Sequence, residues 1–342
     1  MSQNRRRFLQ ASGLAGAAGI LPAAAEAAPP RPAPGAPQPM PRGLSFCTLR
    51  GGGPTGGSAP TLGIRTRRGV LDVKRAEAQF RTGAPVLIDD VLHGRGNLAA
   101  LPVLVERAVG DPGAARFFIA EAEAPFGPCV TDPEKIICVG LNYRAHAAEA
   151  QQPAPEVPIL FNKFTSALNH HRGTINVSEE NARAFDYEAE LVVVLGRAAR
   201  NVPEDQALDY VFGYCCGHDF SARDLQMRTS QWMLGKAGDG WGPVGPWLVT
   251  ADQVDPASLT IECLVNGEVR QSSNTSMLIH DCRRLVSYCS RYMTLRPGDI
   301  IFTGTPEGVI AGYPAEKRVW LKPGDRVVTR IEKLGELEFG LT

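Results

Sequence analysis

Apolar positions along this chain fall mostly into short runs with strand spacing and only seldom into helical stripes. LSFCTLR, TLGIRTRRGVLDV and FFIAEAEA, beginning at Leu44, Thr61 and Phe117, read as strands, and ALPVLVERAV, from Ala100, as one helix. After these, KIICVGL predicts a strand from Lys135, RAHAAEA a short helical turn from Arg144, and EVPILFNKF an extended segment from Glu156. FDYEAELVVVLG, residues 185–196, is a strand that Gly196 ends. PEDQALDYVFGY reads as a helix with Pro203 in its first turn and acids near its N-terminus. LTIECLVNGEVRQ is a hairpin signalled by Asn266-Gly267. IHDCRRLVSYCSRYM has helical spacing, with Leu285, Tyr288, Cys289 and Tyr292 on one face. Pro297-Gly298-Asp299 and Pro323-Gly324-Asp325 each predict a turn before a strand. Strands outnumber helices and do not alternate with them regularly, which predicts an α+β or β-rich roll rather than a doubly wound sheet.

The first residues differ in kind. Arg5, Arg6 and Arg7 precede Phe8 and Leu9, and no further charge follows until Glu26. The order Arg-Arg-x-Phe-Leu resembles a twin-arginine export signal, and Ala25 and Ala27 fit a small-residue cleavage site. Residues 1–27 are therefore expected to be a removable signal of a bacterial protein destined for the periplasm or secretion. A retained membrane anchor is the other reading, against which the shortness of the apolar stretch counts. Residues 28–42 are a Pro-rich linker, residues 43–128 a small N-terminal β-rich subdomain, and residues 129–342 the main domain. The whole chain has 342 residues, 44% hydrophobic and 21% charged, with 36 basic and 36 acidic side chains. That balance argues against a nucleic-acid partner held by a general basic surface, and nothing after the signal is long and apolar enough for stable membrane insertion. The eight Cys form no CxxC and mostly sit in apolar contexts, so no pairing is expected.

Candidate chemistry centres on the strand FDYEAELVVVLG. Glu188 and Glu190 share one face, roughly 7 Å apart, because strand side chains alternate. Two buried like charges need a cation between them, or one must be protonated. A divalent cation held by oxygen ligands is one candidate, and Asp219 in GYCCGHDFSARDLQ offers a third carboxylate, with Asp224 a rival. A half-exposed strand with its acids in solvent is the alternative. His146 and Glu149, three apart on a helical turn, share a face, and such a carboxylate fixes the tautomer of an imidazole and raises its basicity.

Taken together, KIICVGLNYRAHAAE, FDYEAELVVVLG, GYCCGHDFSARDLQ, GPVGPW and PGDIIFTGTPEGV resemble the fumarylacetoacetate hydrolase family, in order, over roughly residues 135–335. The resemblance implies a mixed β-sandwich roll of the fumarylacetoacetase C-terminal type. It implies Glu188, Glu190 and Asp219 as ligands of Mg²⁺, or of Mn²⁺ or Ca²⁺. It implies His146 and Glu149 as a pair that activates water, and Lys236 as a catalytic group that neutralises an enolate or substrate carboxylate. Arg223, Gln226, Lys163 and Thr305 are implied as substrate-binding residues, and a homodimer is implied as the assembly. The fourth carboxylate ligand of longer members would fall near Val139 and is absent.

The implied reaction is metal-assisted hydrolysis of a C–C bond in a β-diketo or acylpyruvate-type acid, through a metal-stabilised enolate. A 2-oxo acid decarboxylase, hydratase or isomerase of the same family would use the same intermediate. An exported, non-catalytic binder of small dicarboxylates is a reading of another class. Ala237 and Gly238, and Asn169, His170 and His171, depart from the family pattern in stretches expected to line the pocket. Joint ligation of a metal by His170 and His171 is not expected, since adjacent strand residues face opposite ways.

Overall fold

The structure, a computed structural model, describes residues 39–51, 59–177 and 182–342. The expected signal peptide and most of the linker lie outside the described residues. The run Leu191–Leu195 is unbroken in its apolarity because its strand, Ala189–Leu195, is buried on both faces. Leu191, Val193 and Leu195 pack into one core and Val192 and Val194 into another. This strand lies within a twelve-stranded sheet, antiparallel to both Val211–His218 and Ile300–Phe302. Ile300–Phe302 in turn pairs in parallel with Ile136–Gly140, and that strand pairs antiparallel with Ile159–Lys163.

A second sheet of five strands runs Glu268–Asn274, Thr260–Val265, Arg326–Ile331, Gly335–Leu341 and Gly173–Ile175. Its apolar residues Ile261, Val327, Leu337 and Phe339 meet Leu191, Tyr214 and Trp247 of the large sheet in the core between the two layers. The fold is thus the expected β-rich α+β sandwich.

Residues 43–128 do not stand apart. Ser45–Leu49 pairs antiparallel with Gly242–Thr250, so the first strands extend the same large sheet, and the described residues belong to one compact unit. Nor is this region mostly β. Helices Val73–Phe80, Ile88–Leu92 and Ala100–Gly110 cover one face of the sheet, and Val73, Val91, Leu101 and Leu104 enter the core there. The strand reading of residues 61–73 missed that Asp72 ends the strand and caps a helix: its side chain accepts the Arg75 N–H. FFIAEAEA gives only the strand Phe118–Ile119, followed by a 3₁₀ turn Glu121–Glu123.

Other expectations are corrected by tertiary pairing. PEDQALDYVFGY is a 3₁₀ segment, Glu204–Tyr210, that passes directly into the strand Val211–His218. Val211 and Phe212 favour a strand, and Val211 pairs with Leu195. Helix Cys282–Tyr292 buries Cys282, Leu285, Val286 and Cys289, whereas Tyr292 is 66% exposed and packs on Tyr288 outside the core. The Asn266-Gly267 hairpin and both Pro-Gly-Asp turns are present, with positive φ at Asn266, Gly267, Gly298 and Gly324. In the first of these turns the buried Asp299 accepts the Lys135 and Arg296 N–H groups, which ties Ile300–Phe302 to the start of Ile136–Gly140. All eight cysteines are free and buried.

Candidate metal centre

Glu190 stands near the start of its strand, on the face of Val192 and Val194. Val192 is opposite Phe302, and two residues further on the Gly304 N–H donates to Glu190 Oε2 at 2.7 Å. Glu188 precedes the strand. Its N–H donates to His218 Nε2 at 3.0 Å, and its carbonyl accepts the Asp219 N–H at 3.0 Å. The short ladder between Phe185–Asp186 and Ser221–Ala222 holds the two acid-bearing segments side by side. Ligand oxygens of Glu188, Glu190 and Asp219 consequently lie within 4.8 Å of one another, and all three residues are buried.

The charges are partly met by the protein itself. Lys236 Nζ donates to Glu188 Oε2 at 2.6 Å and to Asp219 Oδ2 at 2.8 Å. Lys163 Nζ lies 2.7 Å from Asp219 Oδ1. Arg223 bridges Glu188 Oε1 at 2.7 Å and Asp186 Oδ2 at 2.8 Å. Four carboxylates therefore face three cations, which leaves one negative charge. Burial alone would raise the Glu188 pKa, but Lys236 and Arg223 overcome it and hold the group down to about 2. Among the described residues Glu190 has no cation in contact. Burial, then the negative charges of Asp219 and Glu188, push its pKa well above the carboxylate range. An all-oxygen donor set with one uncompensated carboxylate fits a hard divalent cation.

The fumarylacetoacetate (FAA) hydrolase C-terminal family matches residues 135–342. The chain belongs to the fumarylacetoacetate hydrolase family. It is 44% identical over 211 residues to the mitochondrial oxaloacetate tautomerase fahd2 of Xenopus laevis, across 61% of this chain and slightly less than two thirds, 65%, of that protein. Identity to the mitochondrial oxaloacetate tautomerase FAHD2A of Bos taurus is 39% over 283 residues, or 81% of this chain and 86% of that one. The solved structure of fumarylpyruvate hydrolase from Pseudomonas aeruginosa, in complex with Mn²⁺ and pyruvate, matches at TM-score 0.57 and 37% identity, covering 62% of this chain and 91% of that one.

As a fumarylacetoacetate hydrolase family member, the chain presents its acids to a cavity of about 730 Å³. Glu188, Glu190, Lys236, Arg223, Gln226, His146, Glu149 and Thr305 all line it. His146 Nδ1 is 3.2 Å from Glu149 Oε2, on helix Arg144–Glu149. Glu149 is itself anchored by the Gly308 N–H, at 3.1 Å to Oε1, and packs where a Cβ on Gly312 would lie 2.1 Å from its Cδ. With Nδ1–H donating to this carboxylate, Nε2 is left as the basic nitrogen.

The remaining assignments divide. Arg223 and Gln226 reach the cavity but are bonded to each other, Nη1 to Oε1 at 2.9 Å, and Arg223 is pinned by its two acids. Lys163 does not line the cavity: its ammonium is fully buried against Asp219 and the carbonyls of Phe220 and Lys236, so it counters the Asp219 charge and does not face the space a substrate would fill. Thr305 lines the cavity, yet its hydroxyl donates to the Ala189 carbonyl and accepts from Gln271 Nε2, which commits it to the loop. Asp224 is spent on the Arg183 N–H and is not a member of the acidic cluster. Ala237, Gly238 and Asn169 to His171 lie outside the cavity wall. Asn169 bonds the Thr174 and Gly240 carbonyls, and His171 accepts the Glu338 N–H.

Two supporting residues were missed in the sequence. Buried Asp186 accepts from Arg223 and from the N–H groups of Tyr187, Ile310 and Ala311, which joins the glutamate strand to the cavity's far wall. Its position inside the FDYEAE motif was the available signal. His218 accepts the Glu188 N–H and so donates through Nδ1 to Thr329 Oγ1 at 3.0 Å. Burial keeps it neutral, with its pKa lowered to about 3. Nothing in the sequence told this histidine from an exposed one.

Proposed function

We propose that the protein is a divalent-cation-dependent hydrolase that cleaves a C–C bond in an acylpyruvate-type acid. The observation that carries this reading is one cavity lined by Glu188, Glu190, His146 and Glu149, with Asp219 buried beside the two glutamates. Glu188, Glu190 and Asp219 would hold Mg²⁺ or Mn²⁺, which when bound supplies Lewis-acid polarisation of the substrate's oxo oxygens. Adding two positive charges to the residual negative one makes the centre net cationic, which suits an anionic oxo acid.

His146 Nε2 takes a proton from water, while Glu149 holds the ring and stabilises the resulting imidazolium. The hydroxide oxygen adds to the acyl carbonyl, the adjacent C–C bond breaks, and its electron pair leaves on the pyruvate portion as an enolate that is then protonated. Lys236 has three N–H donors, of which two are committed to Glu188 and Asp219, so one remains for the developing oxyanion.

A second reading, keto–enol tautomerisation of a 2-oxo diacid, is favoured by the oxaloacetate tautomerases of frog and cattle. His146 would then move a proton at the substrate carbon without adding water. Incubation of the Mn²⁺-loaded protein with acetylpyruvate and with oxaloacetate separates the readings. Acetate and pyruvate in ¹⁸O-water, with the label in acetate, support hydrolysis. Faster equilibration of oxaloacetate enol and keto forms with no cleavage of acetylpyruvate overturns it.

Processing of residues 1–27, residence in the periplasm or outside the cell, and a homodimer remain parts of this proposal, supported by the Arg-Arg-x-Phe-Leu order and by the resemblance. Size of the secreted chain and its sedimentation test them.

A further inference from the structure

The helix that carries the His146–Glu149 pair, Arg144–Glu149, is held at its two ends by different parts of the chain. Just before it, Asn142 is fully buried. Its amide donates to the carbonyls of His280 and Thr303 at 2.9 and 2.7 Å, and its oxygen accepts the His280 N–H at 2.9 Å. At the other end Glu149 accepts the Gly308 N–H, and its carboxylate lies against the bare backbone of Gly312. The direction of that carboxylate, and with it the ring of His146, is therefore set by residues 308–312.

That loop is itself held by the two residues that lead into Glu188. The Tyr187 hydroxyl donates to the Gly308 carbonyl at 2.9 Å. Asp186 Oδ1 accepts the Ile310 N–H at 2.8 Å and Oδ2 the Ala311 N–H at 3.0 Å, at the start of the 3₁₀ turn Ile310–Gly312, where Val309 offers no capping side chain of its own. Asp186 is completely buried, and it also accepts from the Tyr187 N–H and from Arg223 Nε. Gly308 is fitted to its place: its φ is 96°, and a Cβ there would lie 2.4 Å from the Arg270 carbonyl oxygen. Counted by its bonds alone, Asp186 is a loop anchor. What goes further is the continuity: Tyr187 holds Gly308, Gly308 holds Glu149, and Glu149 holds the imidazole.

We propose that Asp186 and Tyr187 are positioning residues that fix the ring and tautomer of His146 through the Gly308–Gly312 loop and Glu149. The assignment rests on the reading of His146 as the base. It puts the base and the acidic cluster under the control of one short segment, because Asp186 also holds Arg223, whose guanidinium reaches Glu188 Oε1 at 2.7 Å. Neither Asp186 nor Tyr187 lines the cavity, so the effect passes through His146. Such geometry is unforgiving: a displacement of about 1 Å costs about 10²-fold in rate.

Ring ¹⁵N shifts of His146 in the Mg²⁺-loaded protein, read at about pH 9 where an ordinary imidazole is neutral, report which nitrogen carries the proton and require no turnover. Loss of the signal in His146→Ala assigns it, and the wild type is expected to show Nδ1–H. Tyr187→Phe keeps the ring and removes the hydroxyl that holds Gly308; Asp186→Asn turns an NH₂ towards two of the four donors. Each is expected to give mixed tautomers, as Glu149→Gln does, with the Mg²⁺ affinity of Tyr187→Phe unchanged. In Tyr187→Phe, kcat for acylpyruvate cleavage falls by about 10–10² at constant KM, and the same change causes no further loss in Glu149→Gln. A wild-type Nε2–H tautomer overturns the proposal together with the base assignment. Nδ1–H retained in both variants, or losses that multiply in the double variant, overturn the proposal alone. Mixed tautomers in the variants of a protein that cleaves no acylpyruvate support it and overturn only the hydrolase reading. Should Asp186→Asn not fold, Tyr187→Phe decides.

Discussion

Replacing Lys236 by Met removes one ammonium from the acidic cluster while keeping most of the side chain's volume. The ammonium is buried and bonds Glu188 and Asp219 at 2.6 and 2.8 Å; once it is gone, among the described residues Glu188 keeps only Arg223 and Asp219 only Lys163, so the buried cluster is one cation short. Breaking a buried pair by removing one partner costs about 3–5 kcal/mol. An unfolding entropy of about 2 cal/mol/K per residue over roughly 300 residues amounts to ~0.6 kcal/mol/K, so the melting temperature falls by roughly 5–8 °C. The assay is thermal denaturation of both proteins in EDTA and then in Mn²⁺. A bound divalent ion supplies the missing charge, and ligand at a hundredfold its dissociation constant contributes about 2.7 kcal/mol. Mn²⁺ should therefore raise the melting temperature of the variant by more than that of the wild type. An unchanged melting temperature in EDTA, or a smaller metal-induced rise in the variant, would refute the idea that Lys236 and a cation neutralise the same carboxylates.

Glu190→Gln separates charge from fold: without metal it removes the one uncompensated carboxylate, so stability in EDTA holds or rises, while the Mn²⁺-induced rise disappears. His146→Ala lowers kcat for acylpyruvate cleavage by about 10²–10⁴, the range for loss of a general base, with circular dichroism and Mn²⁺ affinity unchanged. Glu149→Gln leaves His146 in place but removes the carboxylate that orients its ring, so kcat for acylpyruvate cleavage falls, by less than in His146→Ala, and a wild-type kcat argues against the pair. Stability falls with acid through His171, whose pKa burial and then Arg172 lower to about 4. Between about pH 6.5 and 4 the unfolded chain takes up the proton and the folded one does not, so stability is present above that window and lost as pH drops through it, by about 1–2 kcal/mol after allowance for solvent screening. Urea midpoints at the two ends measure the loss, and His171→Gln should reduce it.

Much of the site was legible one residue at a time. The parity of Glu188 and Glu190, the third acid at Asp219 and the three-residue spacing of His146 and Glu149 depend on strand and helix geometry that operates locally, and these side chains do converge. The hairpin at Asn266-Gly267 and the two Pro-Gly-Asp turns were legible for the same reason, since turn conformation is set by a few adjacent residues. The 3₁₀ segment at Glu204–Tyr210 and the helix after Asp72 were not, because a strand pairing at Val211 and a cap at Asp72 outweighed the apolar spacing.

What the sequence by itself determined is the chemistry on offer: three carboxylates, an imidazole with its orienting acid, and a balanced charge overall. Only the tertiary structure decided how those charges are shared. Lys163, Lys236 and Arg223 come from separate segments, and which carboxylate each one meets is set by distances across the fold. The same holds for Glu190, left without a cation in contact among the described residues. Local periodicity reports which way a side chain points along its own strand or helix, but Coulomb energies depend on neighbours brought together from anywhere in the chain and on how much water remains between them.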